Sequence, residues 1–312
     1  MLSRTADNLY WMARYVERAE NMARILDVSH RMSQLPAADG EDGSSQWLPA
    51  LIIAGQRPLY EDRQQSITAG AVIAFMALDP ENPSSIYSSL RSARENARAE
   101  RNAIPSEMFE CLNSAWLEIK EMQYSHLLDT GFRDFFDWVK DRSALFRGTT
   151  VGTMLQNEGF YFTRLGTFVE RADNTARLLD VKYHVLAPDE ARIDEAVDYY
   201  QWGALLRSLS AFKAYRLIYR DSIKPRNVAE LLILRQEFPR SLHACYDVVH
   251  QQLELLGPKL ECTRKAGEMH ARLHYTRTED ITRRGLHRFL TEFINKNSAL
   301  SAEIARDFLL VA

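Results

Sequence analysis

The stretch that decides the fold is YVERAENMARILDV at residues 15–28, which returns as FVERADNTARLLDV at residues 168–181. Ten of the fourteen positions are identical, across an offset of 153 residues in a chain of 312. At about 100° per residue, Trp11, Met12, Tyr15, Val16, Ala19, Met22, Ala23 and Leu26 form one broad apolar arc. Glu17, Asn21 and Arg24 cluster on the other side, with Glu20 and Asp27 along one edge and Arg18 near the other. The second copy divides the same way, with Phe168, Val169, Ala172, Leu178 and Leu179 set apart from Glu170, Asn174 and Arg177.

The two copies differ in an informative manner. Apolar positions vary (Tyr15/Phe168, Met22/Thr175, Ile25/Leu178), whereas Glu17/Glu170, Arg18/Arg171, Asn21/Asn174 and Arg24/Arg177 keep their identities. A solvated face needs only charge, and Asn is a mediocre helix former. One reading is still a solvated stripe with local pairs such as Glu17–Asn21 and Glu20–Arg24, each contributing about 0.2–0.5 kcal/mol. A second is a buried network in which every donor and acceptor must be paired. A third is a groove that takes an anionic or peptide-like partner on Arg18, Arg24, Arg171 and Arg177, whose planar forks suit carboxylate or phosphate.

Working outward, helical periodicity dominates and β-branched alternation is nearly absent. The fold class expected is all-α, a helical bundle with two related halves that each carry a Glu-Arg motif helix. Helices are predicted near Ser3–Met32, within WLPALIIAG, over Ser66–Leu78, and through SLRSARENARAERNA after a break at Asp79–Pro83. A helix restarts at Pro105-Ser106, and others span Gly131–Asn157, the second motif to about Leu186, Asp194–Arg220, Val228–Gln236, Pro239–Leu256 and Glu279–Leu310. Pro36–Gln46 and Ala187-Pro188-Asp189 read as loops. One domain covers 1–312, and duplication would divide it into halves of about 1–150 and 151–312.

Composition excludes several classes. With 46% hydrophobic and 26% charged residues, the chain is an ordinary globular protein, and a net charge of −3 gives no case for a nucleic-acid partner. Cys111, Cys245 and Cys262 are odd in number and scattered, which points to a reducing cytoplasm and no disulfide framework. No stretch has the apolar length of a secretory signal or a membrane span. Phosphate-loop, dinucleotide, nucleophile-elbow and zincin motifs are absent. His270 and His274 stand at i, i+4, a spacing that can hold a metal. Arg272 and Arg277 beside them would repel one, so no metal and no cofactor is expected. The basic stretch Arg264–Arg288 reads as a solvated helix pair, without the aromatic platform of a nucleic-acid surface.

Two further segments repeat the chemistry of the motif. Arg91, Glu95, Arg98 and Asn102 fall on one helical face. In EFPRSLHACYD, Arg240 and Ser241 follow Pro239 at a helix start, where free N–H groups favour anions. MLSRTADNLYWMARYVERAENMARILDV, ARENARAERNAIPSEMFECLN, FVERADNTARLLDV and FPRSL, in that order, resemble the alpha-E family of bacterial α-helical proteins with a Glu-Arg motif. Thr167, standing where the first copy has Arg14, makes the two motifs unequal in charge. The resemblance implies partnership with circularly permuted ATP-grasp ligases and transglutaminase-like peptidases in peptide ligation or modification, without implying a catalytic mechanism. The expected function is an accessory one, binding the ligase or a peptide-like anionic substrate. An enzyme using the Glu/Arg stripe as acid/base and anion clamp, and a purely structural bundle, are the alternatives. Self-association is left open.

Overall fold

The computed structural model describes residues 1–34, 47–63, 66–184 and 195–309. The expected loops at Pro36–Gln46 and Ala187-Pro188-Asp189 lie outside the described residues. Sixteen helices and no strand occur among the described residues. The helix α1 (Ser3–Ser33) carries the first motif and α9 (Glu158–His184) the second. Between them run α2 (Leu48–Ile53), α3 (Arg57–Glu61), α4 (Ala69–Ala77), α5 (Ile86–Ala99), α6 (Ser106–Lys120), α7 (Tyr124–Thr130) and α8 (Phe132–Thr153). After α9 come α10 (Glu195–Ser208), α11 (Phe212–Tyr219), α12 (Pro225–Ile233), α13 (Leu242–Leu256), α14 (Glu261–Tyr275), α15 (Thr278–Arg284) and α16 (Leu286–Phe308).

Local chemistry starts many of these helices. Thr68 and Ser85 accept hydrogen bonds from the N–H groups of Ala71 and Ser88, and Pro49, Pro58 and Pro225 occupy first-turn positions that need no N–H donor. Two expected helices are each broken in two. Asp194–Arg220 divides where Ser210 takes a left-handed φ of 57°, and Glu279–Leu310 divides at Gly285, with φ 84°. In both, apolar periodicity runs on across the break, so the pattern alone does not report it. The middle helix ends at Ala99 rather than continuing to Asn102.

At the centre, α1 and α9 run side by side in the same direction, with α5, α8 and α10 packed on α1 and α13 and α16 packed on α9. Every residue from Ala19 to Ser29 is buried. A helix buried all round normally carries apolar residues all round. Here the polar side of the wheel is turned into the protein, and the solvated-stripe reading fails. The approach of the two helices is close: a Cβ on Gly166 would stand 2.2 Å from the carbonyl oxygen of Tyr10. Only a residue without a Cβ allows backbone to meet backbone here.

Gly166→Ala therefore forces α1 and α9 apart and is expected to destabilise the fold by at least about 1–3 kcal/mol. Gly148→Ala, at an exposed position of α8, meets nothing within 4 Å and should stabilise by about 0.5–1 kcal/mol through helix propensity. Chemical denaturation of the two variants beside the wild type checks both signs.

Candidate functional site: crossed Glu-Arg pairs and an asparagine-lined cleft

The parallel packing brings the two Glu-Arg dipeptides together, and they exchange partners. Arg171 donates from Nε and Nη2 to both oxygens of Glu17, at 2.9 and 2.8 Å. Reciprocally, Arg18 donates from Nε to Glu170 at 2.6 Å and from Nη2 at 3.2 Å. Arg14 adds a bond from its Nε to Glu170 at 2.8 Å. Glu17 is 1% exposed and Glu20, one helical turn on, is wholly buried. Arg240 reaches both, donating to Glu17 at 3.0 Å and also to Glu20. Glu20 further accepts from Arg24 at 2.8 Å, from Ser143 at 2.6 Å and from Arg147. Arg24 also donates to the Ser208 carbonyl at the C-terminus of α10, where the helix dipole favours a cation, and to Ser210.

The electrostatics follow from the pairing. Burial pushes the Glu170 carboxyl up, but Arg14 and Arg18 more than offset it and hold it at about 2. Burial likewise works against charge on Glu17 and Glu20. Arg171 and Arg240 overcome it for Glu17, and Arg240, Arg24 and Arg147 for Glu20, so both sit below the usual carboxylate range. Arg171 is raised, because Glu17 outweighs its burial. Arg240, buried and crowded by Arg171 and Arg24, is lowered to about 10 in spite of Glu20 and Glu17, and still carries its proton at neutral pH. These carboxylates are anions at neutral pH with their acceptor sites taken. They have no proton to donate there, and little free capacity to accept one. The thiols are no better placed as nucleophiles: burial pushes Cys111 up to about 11 and Cys245 and Cys262 up to about 12.

Beside this network lies a cleft of about 350 Å³, walled by α1, α9, α16 and the end of α2. The repeat-equivalent residues Asn21 and Asn174 both line it, and they are 4% and 7% exposed. Among the described residues, neither the amide nitrogen nor the oxygen of Asn21, nor the amide nitrogen of Asn174, has a hydrogen-bond partner. The contrast with Asn297 in the same wall is plain, since it accepts from Tyr246 at 2.8 Å and donates to the Val169 carbonyl at 3.2 Å. Native proteins leave few buried polar groups unpaired, so two at equivalent positions need a reason.

The sequence-derived candidates thus fall into three groups. Glu17, Arg18, Arg24, Glu170, Arg171 and Arg240 meet in the buried network. Asn21, Asn174 and Arg177 line the cleft together with Arg18 and Glu170, and Arg177 pairs with Asp173 at 2.6 Å. Arg91, Glu95, Arg98 and Asn102 join neither: Arg91 bonds the Pro80 carbonyl at 3.3 Å, Glu95 pairs with Arg98 at 3.2 Å, and all four are exposed. The expected Glu17–Asn21 pair does not form, and at the start of α13 the Ala244 N–H is capped by the Ser241 hydroxyl. Sequence reasoning missed Arg14, Ser143 and Arg147, of which the last two give only an i, i+4 spacing on α8. Thr167, the counterpart of Arg14, bonds back to the Thr163 carbonyl, so Glu170 has two arginines from α1 while Glu17 takes only Arg171 from α9 and its second arginine from Arg240.

Fold and site together define an all-α bundle built around reciprocal Glu-Arg pairs. The Alpha-E family, described as a predicted alpha-helical domain with a conserved ER motif, matches residues 1–309, and the chain belongs to that family. The chain is also similar to uncharacterized proteins of Mycobacterium bovis and Mycobacterium tuberculosis, 28% identical over 120 residues. That match spans 35% of this chain and 14% of the relatives' length, so these relatives are much longer polypeptides. No solved structure matches the chain. No helix among the described residues is long and apolar enough to cross a membrane.

Breaking one partner of a buried pair strands the other, at a cost of about 3–5 kcal/mol. Glu17→Gln, which leaves Arg171 and Arg240 short of a countercharge, should lose that much in denaturant unfolding. For Glu170 the folded value of about 2 lies below the ordinary 4.5. Its contribution, on the order of 3 kcal/mol, is therefore full above pH 4.5 and lost as pH falls toward 2. Wild-type melts should show that loss, and Glu170→Gln should start less stable at neutral pH and lose less across the same window.

Proposed function

We propose that this protein is an accessory factor of a peptide-ligating or peptide-modifying system, and that it binds a peptide-like anionic segment in the cleft beside Asn21 and Asn174. The observation that carries the reading is the pair of buried carboxamides whose amide nitrogens have no partner among the described residues, at equivalent positions of the two motifs. A carboxamide offers one acceptor and two donors, which complement the C=O and N–H groups of a peptide bond. The cleft lining sets Arg14, Arg18 and Arg177 against Glu170 and Asp173, an excess of one positive charge suited to one carboxylate. In the network behind it, Arg24, Arg147, Arg171 and Arg240 face only Glu17 and Glu20, which adds to the positive field. Carboxylates locked as anions favour binding over acid/base catalysis by the Glu/Arg stripe.

Family membership supports a partner of the ATP-grasp ligase and transglutaminase-like peptidase kind, acting in the cytoplasm. The matched part being a small fraction of longer relatives is in keeping with a domain that works beside other modules. The parallel, in-register packing of the two motif helices supports descent from one duplicated half, about 1–150 and 151–312.

Calorimetric titration with short peptides bearing a free C-terminal carboxylate, against the same peptides as carboxamides, tests the cleft. The free acids should bind and the amides should bind more weakly. The double variant Asn21→Ala/Asn174→Ala should weaken binding by about 10- to 100-fold, since each lost hydrogen bond contributes about 1 kcal/mol or somewhat more. Its melting temperature should hold or rise, because no internal bond is lost. Affinity unchanged in the double variant would rule the cleft out. For the partner, affinity capture at low salt should retain an ATP-grasp ligase on the wild type and lose it with Arg177→Ala. Recovery of the chain alone would count against the accessory role.

A further inference from the structure

A second polar cluster lies outside the cleft, on the hairpin formed by α13 and α14. The two helices are joined by only Gly257 to Leu260 and run antiparallel, which sets His243, Asp247 and His250 of α13 opposite His274, His270 and Gly267 of α14. The missing side chain of Gly267 leaves room for the His250 ring, whose Cε1 would stand 3.3 Å from a Cβ placed there. One ligand atom from each of His243, Asp247 and His270 falls within 4.8 Å of the others.

The orientation of His243 is fixed from behind. Its Nδ1 lies 2.9 Å from the Leu234 carbonyl, which can only accept, so that nitrogen carries the proton and Nε2 presents a lone pair. His243 is 6% exposed, and Nε2 has no hydrogen-bond partner among the described residues. It points at the Asp247 carboxylate, 3.5 Å away. A backbone carbonyl that holds one imidazole nitrogen and frees the other is the usual support behind a metal-bound histidine.

We propose that His243 Nε2, Asp247 and His270 Nε2 form a binding site for a divalent transition-metal ion of the zinc class. Two imidazoles and one carboxylate, with a remaining position toward solvent, are a donor set that Zn²⁺ uses when it keeps a fourth site open. Ligands about 2.0–2.1 Å from a tetrahedral ion stand roughly 3.3 Å apart. The His243–Asp247 distance of 3.5 Å matches that spacing, and the His270–Asp247 distance of 2.8 Å has to open by about half an ångström. The step is a simple exchange: the hydrogen bond from His270 Nε2 to Asp247 breaks, its proton passes to Nδ1 of the same ring or to water, and both atoms bind the ion. His274 is exposed, with its ring centroid 5.4 Å from that of His243, and can swing in as a fourth ligand.

The repulsion expected from Arg272 is offset, because Glu292 holds that guanidinium with bonds of 2.5 and 2.7 Å. The ion would tie α13 to α14 one turn beyond Arg240, the residue that joins α13 to Glu17 and Glu20. The sequence expectation of no metal rests on Arg272 and Arg277 beside His270 and His274; the α13–α14 hairpin adds His243 and Asp247 to that cluster.

The test uses full-length, tag-free protein stripped with chelator, dialysed against Zn²⁺ and assayed by elemental analysis, with Co²⁺ as the spectroscopic probe. One ion per chain is expected. Co²⁺ should give visible d–d bands without a thiolate charge-transfer band, because the cysteines stand outside the ligand set. His270→Ala and Asp247→Asn, at partly exposed positions, should each weaken Zn²⁺ binding at least tenfold and alter the Co²⁺ spectrum, while His287→Ala leaves both unchanged. Substoichiometric binding in the wild type, or stoichiometry and spectrum retained in both site variants, overturns the proposal. Circular dichroism of each variant ensures that a loss is read on folded protein.

Discussion

Carboxylate and guanidinium exchanged between two parallel helices set the geometry on which the rest of the structure depends. Glu17 takes Arg171 and Glu170 takes Arg18, so each Glu-Arg dipeptide completes the other. Burying ions costs several kcal/mol each, and apolar residues of the same size would often hold helices together as well. What the ions add is register. Sliding α9 by one turn would set Glu17 beside Thr167 or Thr175, leaving anion and cation buried and unpaired. The surrounding helices then pack on a central pair whose relative height is already determined.

The network also explains why Glu17/Glu170 and Arg18/Arg171 keep their identities while Tyr15/Phe168 and Ile25/Leu178 vary. Apolar contacts tolerate swaps of similar volume. A buried carboxylate flanked by Arg240, Arg171 and Arg147 tolerates none that loses charge or fork geometry. Asn21 and Asn174 obey a different rule, since among the described residues their amide nitrogens have no partner. In the function proposed above their partner is a molecule in the cleft, and this separates them from the arginines one turn away.

Helix content was largely legible in the sequence, because an apolar period near 3.6 survives in almost every segment. The interruptions at Ser210 and Gly285 were not, as one left-handed residue turns the chain without disturbing the period. The repeated motif showed that its polar stripe mattered but not that it was buried. A helical wheel displays one helix, whereas burial comes from the second helix laid against it. Arg91, Glu95, Arg98 and Asn102 looked like the same stripe and are solvated, because α5 turns its alanines Ala93 and Ala97 to the core instead. His243 and Asp247 gave no signal beyond an i, i+4 spacing, and only the α13–α14 hairpin brings them to His270.

The bare backbone at Gly166 has a mechanical consequence. With Tyr10 and Gly166 in direct main-chain contact, α1 and α9 form a single stiff spine with no slack for sliding or spreading. The cleft therefore has the spine as one wall, opposite the short α2 with its turn at Gly55 and the exposed Ser298 of α16. A molecule bound there as proposed would rest against a wall whose position the Tyr10–Gly166 backbone contact sets, with the ionic core behind the asparagines as its backing.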